Sequence, residues 1–217
     1  MTPEEKVRRI IEIFSKINPE PTTELNYRTP YELFVAVVLS AQCTDVRVNA
    51  TTPAFFEKYP DFEALAKARP EEVARVIRSI SYPNSKARSL VKAAQKIVNE
   101  YGGQLPRTLE ELQKIPGVGR KTANVLGAVL FNLPALPVDT HVFRVSKRLG
   151  LVPPHLKTPE QVEKALLQIV PPDERIRFHH WLILHGRYVC KARKPLCDQC
   201  PLTDICDDYQ QRRQAQK

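Results

Sequence analysis

The chain has no apolar run long enough to cross a bilayer; its longest, around LFVAVVL, is the length of a buried helix segment. Asn-Gly and Asp-Gly pairs are missing, and no stretch alternates apolar with polar residues, which removes the strongest local signs of β-hairpins. No internal repeat is visible, which argues against a solenoid or propeller. The opening residues, MTPEEKVRRI, lack an apolar signal region and carry acids early, which argues against secretion. Cytoplasmic residence is therefore expected, on the nucleoid if the source is bacterial, with no membrane partner. Five cysteines are too few and too clustered for a disulfide framework: four fall between residues 190 and 206, a pattern that reads as a metal site in a reducing compartment.

A chain of 217 residues can bury one large core or two smaller ones. Hydrophobic content of 42% and charged content of 26% are those of a folded domain, which excludes wholesale disorder. Lys and Arg outnumber Asp and Glu by 33 to 24, a formal charge of +9 with a pI near 9.4. Such a surplus favours a polyanionic partner, because each basic group on a phosphate releases condensed counterions; a basic, well-solvated surface gives the same composition.

Helix starts recur. Thr2-Pro3-Glu4-Glu5, Thr29-Pro30-Tyr31-Glu32 and Thr158-Pro159-Glu160-Gln161 each place a capping hydroxyl, a proline where no N–H is needed, and an acid or amide that can reach back. Thr108 to Glu111 repeats the box without proline; Pro70-Glu71-Glu72 and Pro172-Asp173-Glu174 are looser versions. Apolar residues then follow at helical spacing, as in Val7, Ile10, Ile11 and Phe14, or Val73, Val76, Ile77 and Ile80. The expected fold is all-α, with about ten short helices near the usual mean length of about 11 residues. Two segments, Tyr31 to Leu39 and Thr122 to Phe131, are apolar on more than one face and should form the centre of one unit. The proline-rich joint Leu133 to Pro137 should lead to a second lobe that the N-terminal helix joins. The polar tail Gln210 to Lys217 is expected to fray.

Residues 112 to 124 read LQKIPGVGRKTAN. A helix should end near Ile115, Gly117 and Gly119 should turn the chain at positive φ, and a second helix should start around Arg120. N–H groups in such a turn and at the new helix's start can hold a phosphate, which fixes register on DNA without reading sequence. An ordinary αα-hairpin turn also carries two glycines. The flanking proline, the apolar Val118 and the Arg-Lys-Thr-Ala that follows favour the phosphate-binding reading. Lys121 stands in the first turn of that helix, where the macrodipole and Arg120 disfavour an ammonium and favour a neutral nucleophilic amine. Most lysines are nonetheless solvated charges on a basic face.

Pro137-Val138-Asp139-Thr140-His141 precedes the helical run VFRVSKRLG, so Asp139 is suited to an N-cap whose carboxylate the dipole keeps ionised. Capping alone accounts for it. The functional reading has it facing Lys121 across the gap between lobes and stabilising positive charge on a sugar as a base departs.

Cys190, Cys197, Cys200 and Cys206 form C-x6-C-x2-C-x5-C. Structural zinc usually takes two short C-x2-4-C knuckles, whereas an Fe–S cluster accepts wider spacing in one segment; the pattern favours a cluster and leaves zinc open. The intervening KARKPL carries Lys191, Arg193 and Lys194 and no acid, as a phosphate clamp or as solvated charge. Cys43, apart in LSAQCTD, reads as a buried small side chain.

Taken in order, NPEPTTELNY, LSAQCTDVRVN, IPGVGRKTANVL, VDTHVFRV, HHWLILHGRYVC and the four-cysteine loop resemble the endonuclease III family of helix-hairpin-helix DNA glycosylases, over nearly the whole chain. The resemblance implies a six-helix barrel domain over residues 23 to 133 and a 4Fe–4S cluster domain from residues 1 to 22 and 134 to 217. It implies a bifunctional DNA glycosylase and AP lyase of base excision repair, acting as a monomer on double-stranded DNA with damaged pyrimidines or abasic sites. Lys121 would attack C1′ of a flipped nucleotide with help from Asp139, since the glycosidic carbon is inaccessible within the stack. Gln42 would fill the hole left in the duplex, and Tyr82 would wedge the opposite strand. Gly117, Val118, Gly119, Arg120, Lys191, Arg193 and Lys194 complete the expected DNA contacts. The chain departs from the family at Ser81-Tyr82-Pro83, where a glycine and then apolar or aromatic residues are usual; Pro83 stiffens that loop and removes a donor. An adenine-specific mismatch glycosylase and a thymine-mismatch glycosylase share the superfamily but would lack the lysine at 121. A non-catalytic helix-hairpin-helix binding module is the alternative of a different class.

Overall fold

The computed structural model describes residues 1–216, and among these there are helices and loops but no strands, the all-α class expected. The helices are α1 (Pro3–Ile17), α2 (Pro30–Ser40), α3 (Asp45–Lys58), α4 (Phe62–Ala66), α5 (Pro70–Val76), α6 (Pro83–Tyr101), α7 (Leu109–Gln113), α8 (Arg120–Phe131), α9 (Thr140–Leu149), α10 (Pro159–Ile169), α11 (Arg175–Tyr188) and α12 (Asp207–Ala215). None of them is long and apolar enough to cross a membrane.

The threonine-led starts set these boundaries, with variations. Thr2 and Thr158 close complete capping boxes with Glu5 and Gln161. Thr29 caps α2, but the Glu32 carboxylate reaches one residue further back, accepting from the Arg28 amide at 2.6 Å and from its guanidinium at 2.9 Å. Thr108 caps α7, while Glu111 turns instead to the Tyr101 hydroxyl and the Lys114 ammonium, each at 2.7 Å. The starts at Pro70 and Pro172 have no side-chain cap, and the second is only a 3-10 turn, Pro172–Glu174.

The chain divides into two units, one over Thr23–Leu133 and one of Met1–Thr22 with the chain from Pro134 onward. In the first, α2 is the centre: Leu33, Phe34, Val35, Ala36 and Leu39 are fully buried, as a helix apolar on all sides requires. The expectation that α8 shares this place is corrected. Ala123, Leu126 and Ala128 are buried, but Val125, Val129, Leu130 and Phe131 are half-buried and Lys121 is exposed. One face of α8 packs, and the other is more open. The run from Val73 to Ile80 is not all helix either; α5 stops at Val76, and Ile77 and Ile80 reach the core from the following turn.

The second unit packs Val7, Ile10 and Phe14 of α1 with Val142, Val145 and Leu149 of α9, Phe178, Trp181 and Leu182 of α11, and Leu202 and Ile205. Polar bonds fasten α1 into it. The buried Lys6 ammonium donates to the Leu149 carbonyl at 2.7 Å and to Asp207 Oδ1 at 2.5 Å, and Trp181 Nε1 donates to the Asn18 carbonyl at 2.8 Å. The tail does not fray as expected: residues 210 to 215 continue α12, supported by an Asp208–Arg212 ion pair one turn apart and by Gln210 donating to the Thr203 carbonyl. Lys217 lies outside the described residues.

Candidate active site and metal centre

The glycine turn joins α7 to α8. Ile115 and Val118 are buried, and the Val118 amide closes the turn on the Ile115 carbonyl at 3.0 Å. Gly117 has φ +81°, and a Cβ there would stand 2.8 Å from Cβ of Ser89 on α6; conformation and packing both require glycine. Gly119 differs from expectation. Its φ is −89°, in extended backbone, because it serves as the N-cap of α8 rather than as a second turn residue. A Cβ at Gly119 would meet nothing within 4 Å. No side chain caps that helix start. Arg120 and Lys121 are the first two residues of α8, and both are exposed.

Asp139 is the N-cap of α9, its Oδ1 accepting from the Val142 amide at 2.8 Å, and it is half-buried. The segment before it is fixed from below, since Ala135 to Val138 are buried and His179 Nδ1–H donates to the Pro137 carbonyl at 2.8 Å. The neighbouring His180 is held neutral, its pKa lowered to about 3 by burial and by His179. Nothing in the sequence points to His179 beyond its place in HHWLILHGRYVC. Lys121 belongs to the first unit and Asp139 to the second.

Gln42 and Tyr82 lie on adjoining loops of the first unit. Both are exposed, and both have left-handed backbone, φ +53° and +54°, a conformation shared among the described non-glycine residues only with Asn132 and Lys194. The Ser81 hydroxyl donates to the Gln42 carbonyl at 2.7 Å and links the loops. Pro83 occupies the first position of α6, so the donor it lacks is one the helix does not need.

The four clustered cysteines come together. Cys190, Cys197, Cys200 and Cys206 line one pocket, beside Leu149, His185, Val189 and Leu196. None is in a disulfide. Burial pushes the Cys200 thiol up to about 11, with the other three thiols adding to the rise. Burial raises the Cys206 thiol as well, and four thiols gathered on one pocket fit a cationic centre that would hold them as thiolates. Four thiols on one pocket are the donor set that an iron–sulfur cluster takes, and tetrahedral zinc takes the same set. Buried Leu202 and Ile205 anchor the loop between the last two cysteines.

Two arginines of α9 hold the loop after Cys190. Arg148 donates to the Cys190 sulfur at 3.4 Å and to the carbonyls of Lys191 and Ala192 at 2.8 and 3.0 Å, while Arg144 donates to those of Gly186 and Cys190. Lys191, Arg193 and Lys194 are left exposed. Cys43 sits in the other unit against its core, half-buried rather than buried as expected.

Residues 35–172 match the family described as HhH-GPD superfamily base excision DNA repair protein. Residues 190–206 match the iron-sulfur binding domain of endonuclease III, a stretch that opens on Cys190 and closes on Cys206. Endonuclease III of Rickettsia felis is 49% identical over 203 residues, covering 94% of each chain. The chain belongs to the endonuclease III family. The Escherichia coli K12 endonuclease III is 43% identical over 205 residues, 93% of this chain and 96% of that one. A solved trapped endonuclease III–DNA covalent intermediate matches with a TM-score of 0.91 at 44% identity, over 98% of this chain and 100% of that one. A thermostable thymine-DNA glycosylase is further off, at 25% identity and a TM-score of 0.85. As a member of the endonuclease III family the chain takes a 4Fe–4S cluster at its cysteine loop.

Proposed function

We propose that the chain is a bifunctional DNA glycosylase and AP lyase that removes oxidised pyrimidines from duplex DNA, with Lys121 as nucleophile and Asp139 as its electrostatic partner. The observation that carries this reading is Lys121 itself, exposed in the first turn of α8, two residues after a glycine N-cap with open space around it. The neutral amine forms a bond to C1′ of the everted nucleotide as the C1′–N bond breaks, and the base leaves with that electron pair and takes a proton. Ring opening yields an imine between Lys121 and C1′. Loss of a C2′ proton then expels the 3′ phosphate, and water hydrolyses the imine to free the lysine. The Asp139 carboxylate stabilises positive charge on the sugar while the base departs.

Gly117, Val118, Gly119 and Arg120 hold backbone phosphate, with Lys191, Arg193 and Lys194 as a second phosphate contact. Gln42 enters the space left by the everted base, and Tyr82 presses on the opposite strand. Cys190, Cys197, Cys200 and Cys206 hold the 4Fe–4S cluster, which when bound supplies a rigid cross-link for the basic loop. The reading takes the chain to work as a monomer in the cytoplasm.

Borohydride added to the protein with thymine-glycol duplex tests it. Wild type should leave a covalent protein–DNA complex, and Lys121→Ala should leave none while retaining duplex affinity. Trapping that survives in Lys121→Ala means that another group is the nucleophile; no trapping in wild type means that no Schiff base forms and overturns the lyase reading.

A further inference from the structure

Lys86 is buried, 8% exposed, and the proposed activity gives it no task. It stands in the first turn of α6, and its side chain runs inward to the end of α2. There the last carbonyls of a helix lack intrahelical partners and form the negative end of its dipole. The Lys86 ammonium donates to the carbonyls of Leu39 at 3.0 Å and Ala41 at 2.5 Å, and to the Ser81 hydroxyl at 3.3 Å. Three acceptors meet the three N–H bonds of an ammonium. Ser81 passes the link on through its 2.7 Å bond to the Gln42 carbonyl.

The residues that follow on either side of this hub are the two left-handed ones. Gln42 comes directly after Ala41, and Tyr82 directly after Ser81. Left-handed backbone is strained for a residue with a Cβ. Tyr82 carries a second restriction, because a following proline disfavours helical backbone at the residue before it. Such conformations persist only where their surroundings over-determine them. A single ammonium bound to both loops, with a hydroxyl bridging them, is that over-determination.

We infer that Lys86 is a positioning residue for base extrusion: it locks the Gln42 and Tyr82 loops to each other, so that both side chains meet the duplex as one rigid probe. The inference rests on the proposed roles of Gln42 and Tyr82. Burial draws the Lys86 pKa below the ordinary lysine value, and Cys43 opposes that fall. The carbonyls and the hydroxyl take the place of the lost water. Loosening the hub lets either loop relax out of its left-handed turn, and the everted state loses its support within the duplex. A single-stranded abasic site needs no extrusion, so its cleavage does not depend on the hub.

The experiment compares Lys86→Met with wild type on two substrates, scoring base release from thymine-glycol duplex and strand cleavage at an abasic site in single-stranded DNA. Lys86→Met should lower duplex base release on the order of tenfold or more and leave single-strand cleavage within about twofold. Ser81→Ala, which removes the bridge and leaves the buried ammonium in place, should lower the duplex-to-single-strand ratio in the same direction by a smaller factor, and it carries the test if Lys86→Met does not fold. Equal losses on both substrates, or an unchanged ratio in Ser81→Ala, overturn the inference. Wild type inactive on both substrates would instead overturn the proposed function on which it rests.

Discussion

Asp139 has two duties that one substitution separates. Asn also accepts from a helix amide, so Asp139→Asn should keep the cap on Val142 and change stability by no more than about 0.5 kcal/mol. It removes the negative charge, and single-turnover base release should fall by about 10²–10³-fold, the size usual for a lost electrostatic stabiliser. Thermal melting alongside a quenched excision assay checks both. A variant with unchanged excision would leave the aspartate as a cap only. The residues whose meaning could be read in the chain are those whose signal is local: Lys121 beside its glycines, Asp139 before its helix, four cysteines in one segment. Lys86 and His179 could not be read that way. Their partners are main-chain carbonyls 47 and 42 residues away, and nothing in a sequence marks which carbonyls a fold will bring near.

Among the elements, the α7–α8 turn carries two glycines with different work. Gly117→Ala should cost about 1–2 kcal/mol for the left-handed backbone and more for its approach to Ser89. Gly119→Ala has an extended backbone and open surroundings, so stability should stay within about 0.5 kcal/mol. Duplex affinity should fall instead, because a methyl then stands where a phosphate would approach the helix start. Melting curves and fluorescence anisotropy separate the two, and an affinity loss confined to Gly117→Ala would contradict the assignment. The Gly-x-Gly spacing announced a turn; it could not distinguish a turn glycine from an N-cap, since that depends on where α8 starts. Composition likewise showed α8 as apolar but not that only one of its faces is packed. The tail reads as polar and frayed until Asp208 and Arg212 fall one helical turn apart.

For the molecule as a whole, the charge of +9 favours DNA as a partner, and the placing of three of those charges on the cysteine loop makes this testable. Removing the cluster through Cys200→Ser should abolish iron-based visible absorbance and release the loop that carries Lys191, Arg193 and Lys194. Binding should weaken for all duplex sequences alike, and the slope of log affinity against log salt should become shallower by about one for each phosphate the loop no longer neutralises. An unchanged slope would remove the loop from the interface. Length left one core or two open, and only the proline-rich joint suggested a second lobe; the chain divides after Leu133. The arginines of α9 that grip the cysteine loop were not visible, because they read as ordinary charges on an amphipathic helix.

The central claim is that one amine, on Lys121, becomes bonded to the sugar. The most direct measurement is to reduce the complex with thymine-glycol duplex using borohydride, digest it with nuclease and trypsin, and locate the adduct by mass spectrometry. The sugar remnant should sit on a peptide spanning residues 121–144, left uncut after its first residue because trypsin does not cleave at a modified lysine. An adduct on any other residue, or a reduced complex that yields none, would contradict the account.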